Sequence, residues 1–156
     1  MKSIRTLLDK ILKFINVVSL AFLTALVTWQ VITRYFLNHP STWSEELSGY
    51  MFAWVTMFGA AYVFGQREHM NIPILLERVS VETKWILNII TELVILSLSA
   101  GVLIYGGVRI TILTMGQMSS SLGLPMGYFY SCIPISGCLI VIYNILNLLD
   151  ITYKLK

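Results

Sequence analysis

Few side chains in this sequence could do chemistry. Two histidines, His39 and His69, could ligate a haem or a metal ion, and Cys132 and Cys138 could pair or bind a soft metal. Glu92, inside an apolar run, has the placing of an ion- or proton-coupling carboxylate. Arg34 and Arg109 could hold an anion, and the adjacent acids Glu45 and Glu46 could pair with a nearby arginine. No nucleophile–base constellation, metal-binding cysteine pair or phosphate-binding glycine loop accompanies them. An enzyme is not expected, and no catalytic, cofactor-binding or metal-binding residue is assigned.

The elements that must position these side chains are membrane-spanning helices. Of 156 residues, 56% are hydrophobic and only 12% charged, with a mean hydropathy of +0.75. A soluble domain is about a quarter charged. One crossing takes about 20 mostly apolar residues, so the length allows four with short loops. The expected fold is all-α and integral to the membrane. A single four-helix membrane domain should cover residues 1–156, with helices over about 11–36, 47–64, 85–115 and 127–149. Lys2, Arg5, Lys10 and Lys13 make a basic start. The run behind them is too long for a signal-peptide core and has no small-residue cleavage site after it, so the first helix is retained. Between the second and third runs, Met70 to Leu76 is apolar but too short to span. It is a candidate interfacial helix with Pro73 near its first turn.

Lys and Arg divide nine to two between the two sides of such a four-span chain. The positive-inside rule then places the N- and C-termini in the cytoplasm. A net charge of only +3 fits topology signals, not a nucleic-acid surface.

This topology thins the chemical candidates. His39 and His69 fall on opposite sides, about 30 Å apart across the hydrocarbon, and cannot share a haem. The cysteines are six apart in one run, point in different directions on a helix, and are not expected to pair. Glu92 lies two turns, roughly 10 Å, inside the third helix. A carboxylate hydrogen-bonded to Asn88 or to a basic residue such as Arg67 is favoured over a coupling site, because no partner stripe of ionisable groups continues from it. Arg34 and Arg109 reach the outer interface, where long side chains snorkel. An Arg34–Glu46 pair is expected there, structural in role.

Helical spacing assigns faces. Asn16, Ser19, Gln30 and Arg34 share one side of the first helix, and lipid cannot satisfy such groups. On the second, Glu46, Gly49, Ala53, Thr56 and Ala60 form a small-residue face that would let another helix approach closely. Trp54, Phe58 and Tyr62 occupy the opposite side, toward lipid or a bulkier neighbour. Ser41 or Ser44 could cap this helix, with Trp43 at its entry and Glu45 and Glu46 in its first turn. The third carries Asn88, Glu92, Ser99 and Gly106 near one stripe. The fourth clusters Ser136, Gly137, Asn144 and Asn147.

In order along the chain, Arg34-Tyr35-Phe36, Trp43-Ser44-Glu45-Glu46-Leu47, Phe58-Gly59-Ala60-Ala61 and Arg67-Glu68-His69 carry a resemblance. So do Leu122-Gly123-Leu124-Pro125, Tyr130 and Ile133-Pro134-Ile135-Ser136-Gly137. Together they resemble the small, DctQ-type (Q) membrane subunit of tripartite ATP-independent periplasmic (TRAP) transporters. The resemblance implies a four-helix scaffold subunit in the bacterial inner membrane. Its partners would be a large multi-spanning permease (M) subunit holding the Na⁺ and substrate sites, a periplasmic substrate-binding protein (P subunit), and membrane lipid. The cargo would be carboxylates of the C4-dicarboxylate or sialic acid type. Partner-contact or structural roles are expected for Arg34, Trp43, Glu45, Glu46, Gly49, Ala53, Thr56, Ala60 and His69. Two other readings stay open at this point: a self-sufficient homo-oligomeric transporter or channel using Glu92, and a membrane anchor for a respiratory enzyme.

Overall fold

The structure, a computed structural model, describes residues 2–66 and 81–153. His69 and the candidate interfacial helix at Met70 to Leu76 lie outside the described residues. Among the described residues the elements are α1 (Lys2–Tyr35), α2 (Thr42–Gln66), α3 (Val81–Leu98), a π-helical segment (Ser99–Gly106), α4 (Gly107–Thr114), α5 (Met126–Tyr130) and α6 (Cys132–Tyr153). Four stretches are long and apolar enough to cross a membrane: Arg5–Tyr35, Thr42–Gln66, Trp85–Thr114 and Met126–Asp150. The third span is α3, the π segment and α4 in series; the fourth is α5 and α6.

At the terminus-bearing end of the bundle α1, α2 and α6 extend past the expected ends, where polar residues find partners on neighbouring helices. Arg5 donates to the Gly65 carbonyl near the end of α2 and lies 3.4 Å from the Asp150 carboxylate. A cation there meets the partial negative charge of α2's C-terminus. Asp9 accepts a 2.7 Å hydrogen bond from the Tyr143 hydroxyl of α6. These contacts hold the two terminal segments together at one end of the bundle.

The last span is the centre of the assembly. Its α6 packs against α2, the π segment and α3, while α1 packs mainly on α2. Cys132, Ser136, Ile140, Tyr143, Asn144 and Asn147 of α6 are all buried. Leu12, Phe58 and Tyr143 form a core from α1, α2 and α6, with Trp54 and Tyr62 packed against it. The aromatic side of α2 therefore faces inward, and its small-residue side faces out. Most of the large apolar side chains of α1 and the third span point outward, as Phe14 and Leu113 do. In lipid that exposure carries no penalty.

At the end away from the termini, α1 closes through Asn38, whose φ of 49° lies in the left-handed region that asparagine tolerates. The amides of Leu37 and His39 return to the carbonyls of Ile32 and Thr33. Among the described residues neither serine side chain caps the start of α2. Ser44 Oγ instead donates to the Ser41 carbonyl at 3.0 Å.

The third span departs from the expected stripe. Glu92, Ser99 and Thr114 are buried, but the buried glycine is Gly107, and Gly106 is exposed. The inward positions are thus spaced seven, eight and seven residues apart. The π segment supplies the eighth residue. Bonding to the fifth residue along the chain widens each turn by one residue, so the inward face slips one position. Gly107 is then brought so close to α6 that a Cβ would stand 2.9 Å from the backbone nitrogen of Pro134.

Candidate docking surface

The small-residue side of α2 borders an open groove of about 500 Å³ between α2 and the α5–α6 region. Gly49, Ala53 and Thr56 line it together with Met57, Phe129 and Ile133. All three small residues are exposed; Ala60, one turn on, is half-buried. A Cβ on Gly49 would meet nothing within 4 Å. The groove's shape comes from its two walls. Tyr50 stacks on Phe129 with ring centroids 3.9 Å apart and planes within 5°. Trp54 Nε1 donates to the Phe129 carbonyl at 2.9 Å. Both bonds tie α2 to α5 and leave the small side chains between them and the outside. A surface of this kind admits the backbone of an apolar helix at short range.

Polar contacts brace the rim. Glu46 accepts from the Tyr50 hydroxyl at 3.0 Å and from the backbone N–H of Ser121 at 2.8 Å. It thereby fastens the loop between the third and fourth spans. That loop is a tight reversal: Ser119 and Met126 donate to Leu124 and Gln117, and Gly123 takes a φ of +64°. Arg34 pairs with Glu45 at 3.4 Å, not with Glu46 as expected from level alone. Glu46 is turned to its own loop, and both members of the Arg34–Glu45 pair are largely exposed, where an ion pair contributes little. Trp43 is also partly exposed. Gln30 of α1 donates to the Ser44 carbonyl and the Ser48 hydroxyl, so the first turns of α2 are held from α1 as well. Glu46→Ala is expected to release the loop. Amide hydrogen exchange at Ser121 should accelerate roughly tenfold, as for a lost charge-assisted hydrogen bond, with the four spans unchanged.

Glu92 is deeply buried, 1% exposed, and its described partner is Asn144 of α6. Asn144 Nδ2 donates to a Glu92 carboxylate oxygen at 2.5 Å and to the Glu92 backbone carbonyl at 2.9 Å. Spacing along the third helix could not reveal this bond, because it depends on how α6 is rotated. The Tyr143–Asp9 bond depends on the same rotation, and the Ser121 amide on Glu46 on how the loop folds back over α2. Among the described residues, no three His, Cys, Asp or Glu side chains gather where a metal could sit.

Comparison with known proteins agrees with this architecture. The sequence model for the DctQ component of tripartite ATP-independent periplasmic transporters matches residues 23–152. The chain is 28% identical over 155 residues to the sialic acid TRAP transporter small permease protein SiaQ of Vibrio cholerae, covering 96% of this chain and 89% of that one. It is 28% identical over 140 residues to a Haemophilus influenzae chain described as a TRAP transporter small permease protein, covering 90% and 86%. A second H. influenzae chain of that description is 25% identical over 130 residues, covering 83% and 78%.

Proposed function

We propose, for a chain that belongs to the DctQ component family of tripartite ATP-independent periplasmic transporters, the role of a scaffold that holds a large permease subunit through the outward face of α2. Members of the family are transporter components and not enzymes, and this chain is a multi-pass protein of the inner membrane. A respiratory membrane anchor is set aside by that membership. In the proposed assembly the large subunit carries the Na⁺ and substrate sites, and a periplasmic binding protein delivers the cargo. The termini lie in the cytoplasm, so the Glu46-braced loop faces the periplasm. The cargo is a carboxylate of the C4-dicarboxylate or sialic acid type; the V. cholerae relative, named for sialic acid, supports the second.

The observation that supports the scaffold reading is the orientation of α2's two faces. Trp54, Phe58 and Tyr62 are spent on the internal core, and Gly49, Ala53 and Thr56 are left open, with Phe52, along an apolar groove. In a membrane, close packing and not apolarity drives helices together. A small-residue face left outward is therefore a place for another helix. Glu92 fits the same reading, since its hydrogen bond to Asn144 joins α3 to α6 within the subunit.

Gly49→Leu and Ala53→Leu are expected to leave the four spans folded, because both positions are open. Co-purification with the large subunit should fall about tenfold, the effect of losing a central contact of some 1.4 kcal/mol. Wild-type recovery of the complex from both variants would remove this face from the interface.

A further inference from the structure

A second, separate trough runs between α1 and α2 on the terminus-bearing half of the bundle, with a volume of about 300 Å³. Lys13 stands at one end of it and Asn16 follows one turn deeper. Beyond them the walls are apolar, with Val17 and Leu20 from α1 and Val55 from α2. Gly59 forms part of the floor, where a Cβ would come no nearer than 3.9 Å to Asn16 Oδ1. Asn16 Nδ2 is used internally, on the Leu12 carbonyl at 3.0 Å.

The trough is graded along the membrane normal. From Lys13 to Leu20 the helix rises roughly 10 Å, and over that distance the lining passes from a cation to hydrocarbon. Depth can be fixed from the other end. Arg34 and Glu45 pair at the far boundary, and about 20 residues span the hydrocarbon, which places the near boundary close to Phe14. Lys13 is therefore at headgroup level. It is exposed, and no acid among the described residues forms an ion pair with it.

We propose that this trough binds an anionic phospholipid, with the phosphate on Lys13 and one acyl chain laid along Val17, Leu20 and Val55. A protein helix is the less suitable occupant. The α2 groove offers small residues and no charge, whereas this trough offers a cation at one end and apolar walls at the other. That is the polarity of a lipid. The bound lipid would fill the cleft between α1 and α2 and brace α1, which packs mainly on α2.

The experiment is native mass spectrometry of the full chain, alone and in complex with its large subunit, from bilayers mixing phosphatidylglycerol and phosphatidylcholine. Phosphatidylglycerol should be retained in preference by both preparations. Lys13→Gln should reduce that retention about fivefold, the effect of one lysine near an anionic surface. Gly59→Leu, which fills the floor, should reduce retention of both lipids. Soluble glycerol phosphate should not compete. The proposal is overturned if Lys13→Gln retains phosphatidylglycerol as wild type does, or if glycerol phosphate displaces it. It is equally overturned if the complex carries none where the isolated chain does, since the trough would then be covered by protein.

Discussion

Asn144→Leu is expected to destabilise the four-span unit by about 2–3 kcal/mol, the scale of leaving buried acceptors without their hydrogen-bond donor. Asn144 gives both of its described bonds to Glu92, one to the carboxylate and one to the backbone carbonyl. The substitution keeps the branching and number of heavy atoms and removes both hydrogen bonds, while the Glu92 side chain stays buried. The double variant Glu92→Leu with Asn144→Leu should recover part of the loss, because it removes the buried carboxylate that the single variant leaves without Asn144. Thermal unfolding in detergent measures both. A double variant as unstable as the single one would mean that the Glu92–Asn144 bond is not what the single variant loses. Transport by the assembled complex should follow stability in this series. If Glu92→Gln instead folds normally and abolishes transport, the carboxylate couples an ion, contrary to the scaffold reading.

The second large effect separates two adjacent glycines. Gly107→Ala should cost about 1–3 kcal/mol, the range for forcing an extra methyl into a filled interface. Its Cβ would stand 2.9 Å from Pro134 Cδ, Pro134 N and Ile133 Cγ2, and neither the ring nor the backbone can move aside cheaply. Gly106→Ala, one residue earlier, should be neutral or stabilising by up to about 1 kcal/mol, as glycine-to-alanine changes are at compatible helical positions. The nearest atom to its Cβ is the Gly101 carbonyl oxygen at 3.9 Å. A regular α-helix through this region predicts the opposite order, since Gly106 then faces inward. The same unfolding measurement decides between the two.

The contrast explains how far the sequence could be read. Four spans follow from run length and hydropathy, but the early start of α1 is tied to Arg5 and Asp9 bonding to partners remote in sequence. The two faces of α2 were also legible, but not which one turns inward. Trp54 and Ala53 are both apolar, and in lipid apolarity does not distinguish core from exterior. Only the positions of α1 and α6 resolve it. For Glu92 the sequence favours a hydrogen bond to Asn88 or to a basic residue such as Arg67, whereas the bond to Asn144 depends on the rotation of another helix. Arg34 was placed at the right level, but choosing between Glu45 and Glu46 required knowing that Ser121 and Tyr50 occupy the latter. The slip from Gly106 to Gly107 had no signal in a count made at 100° per residue.

The π-helical segment is, in effect, one residue of slack. A chain shorter by one residue between Ser99 and Gly107 could close that region as continuous α-helix and still present both positions to α6. Residues before Ser99 and after Gly107 therefore occupy two separate reading frames of the same span. An ungapped alignment with such a shorter chain would place every residue of one half about 100° around the helix axis from its true counterpart.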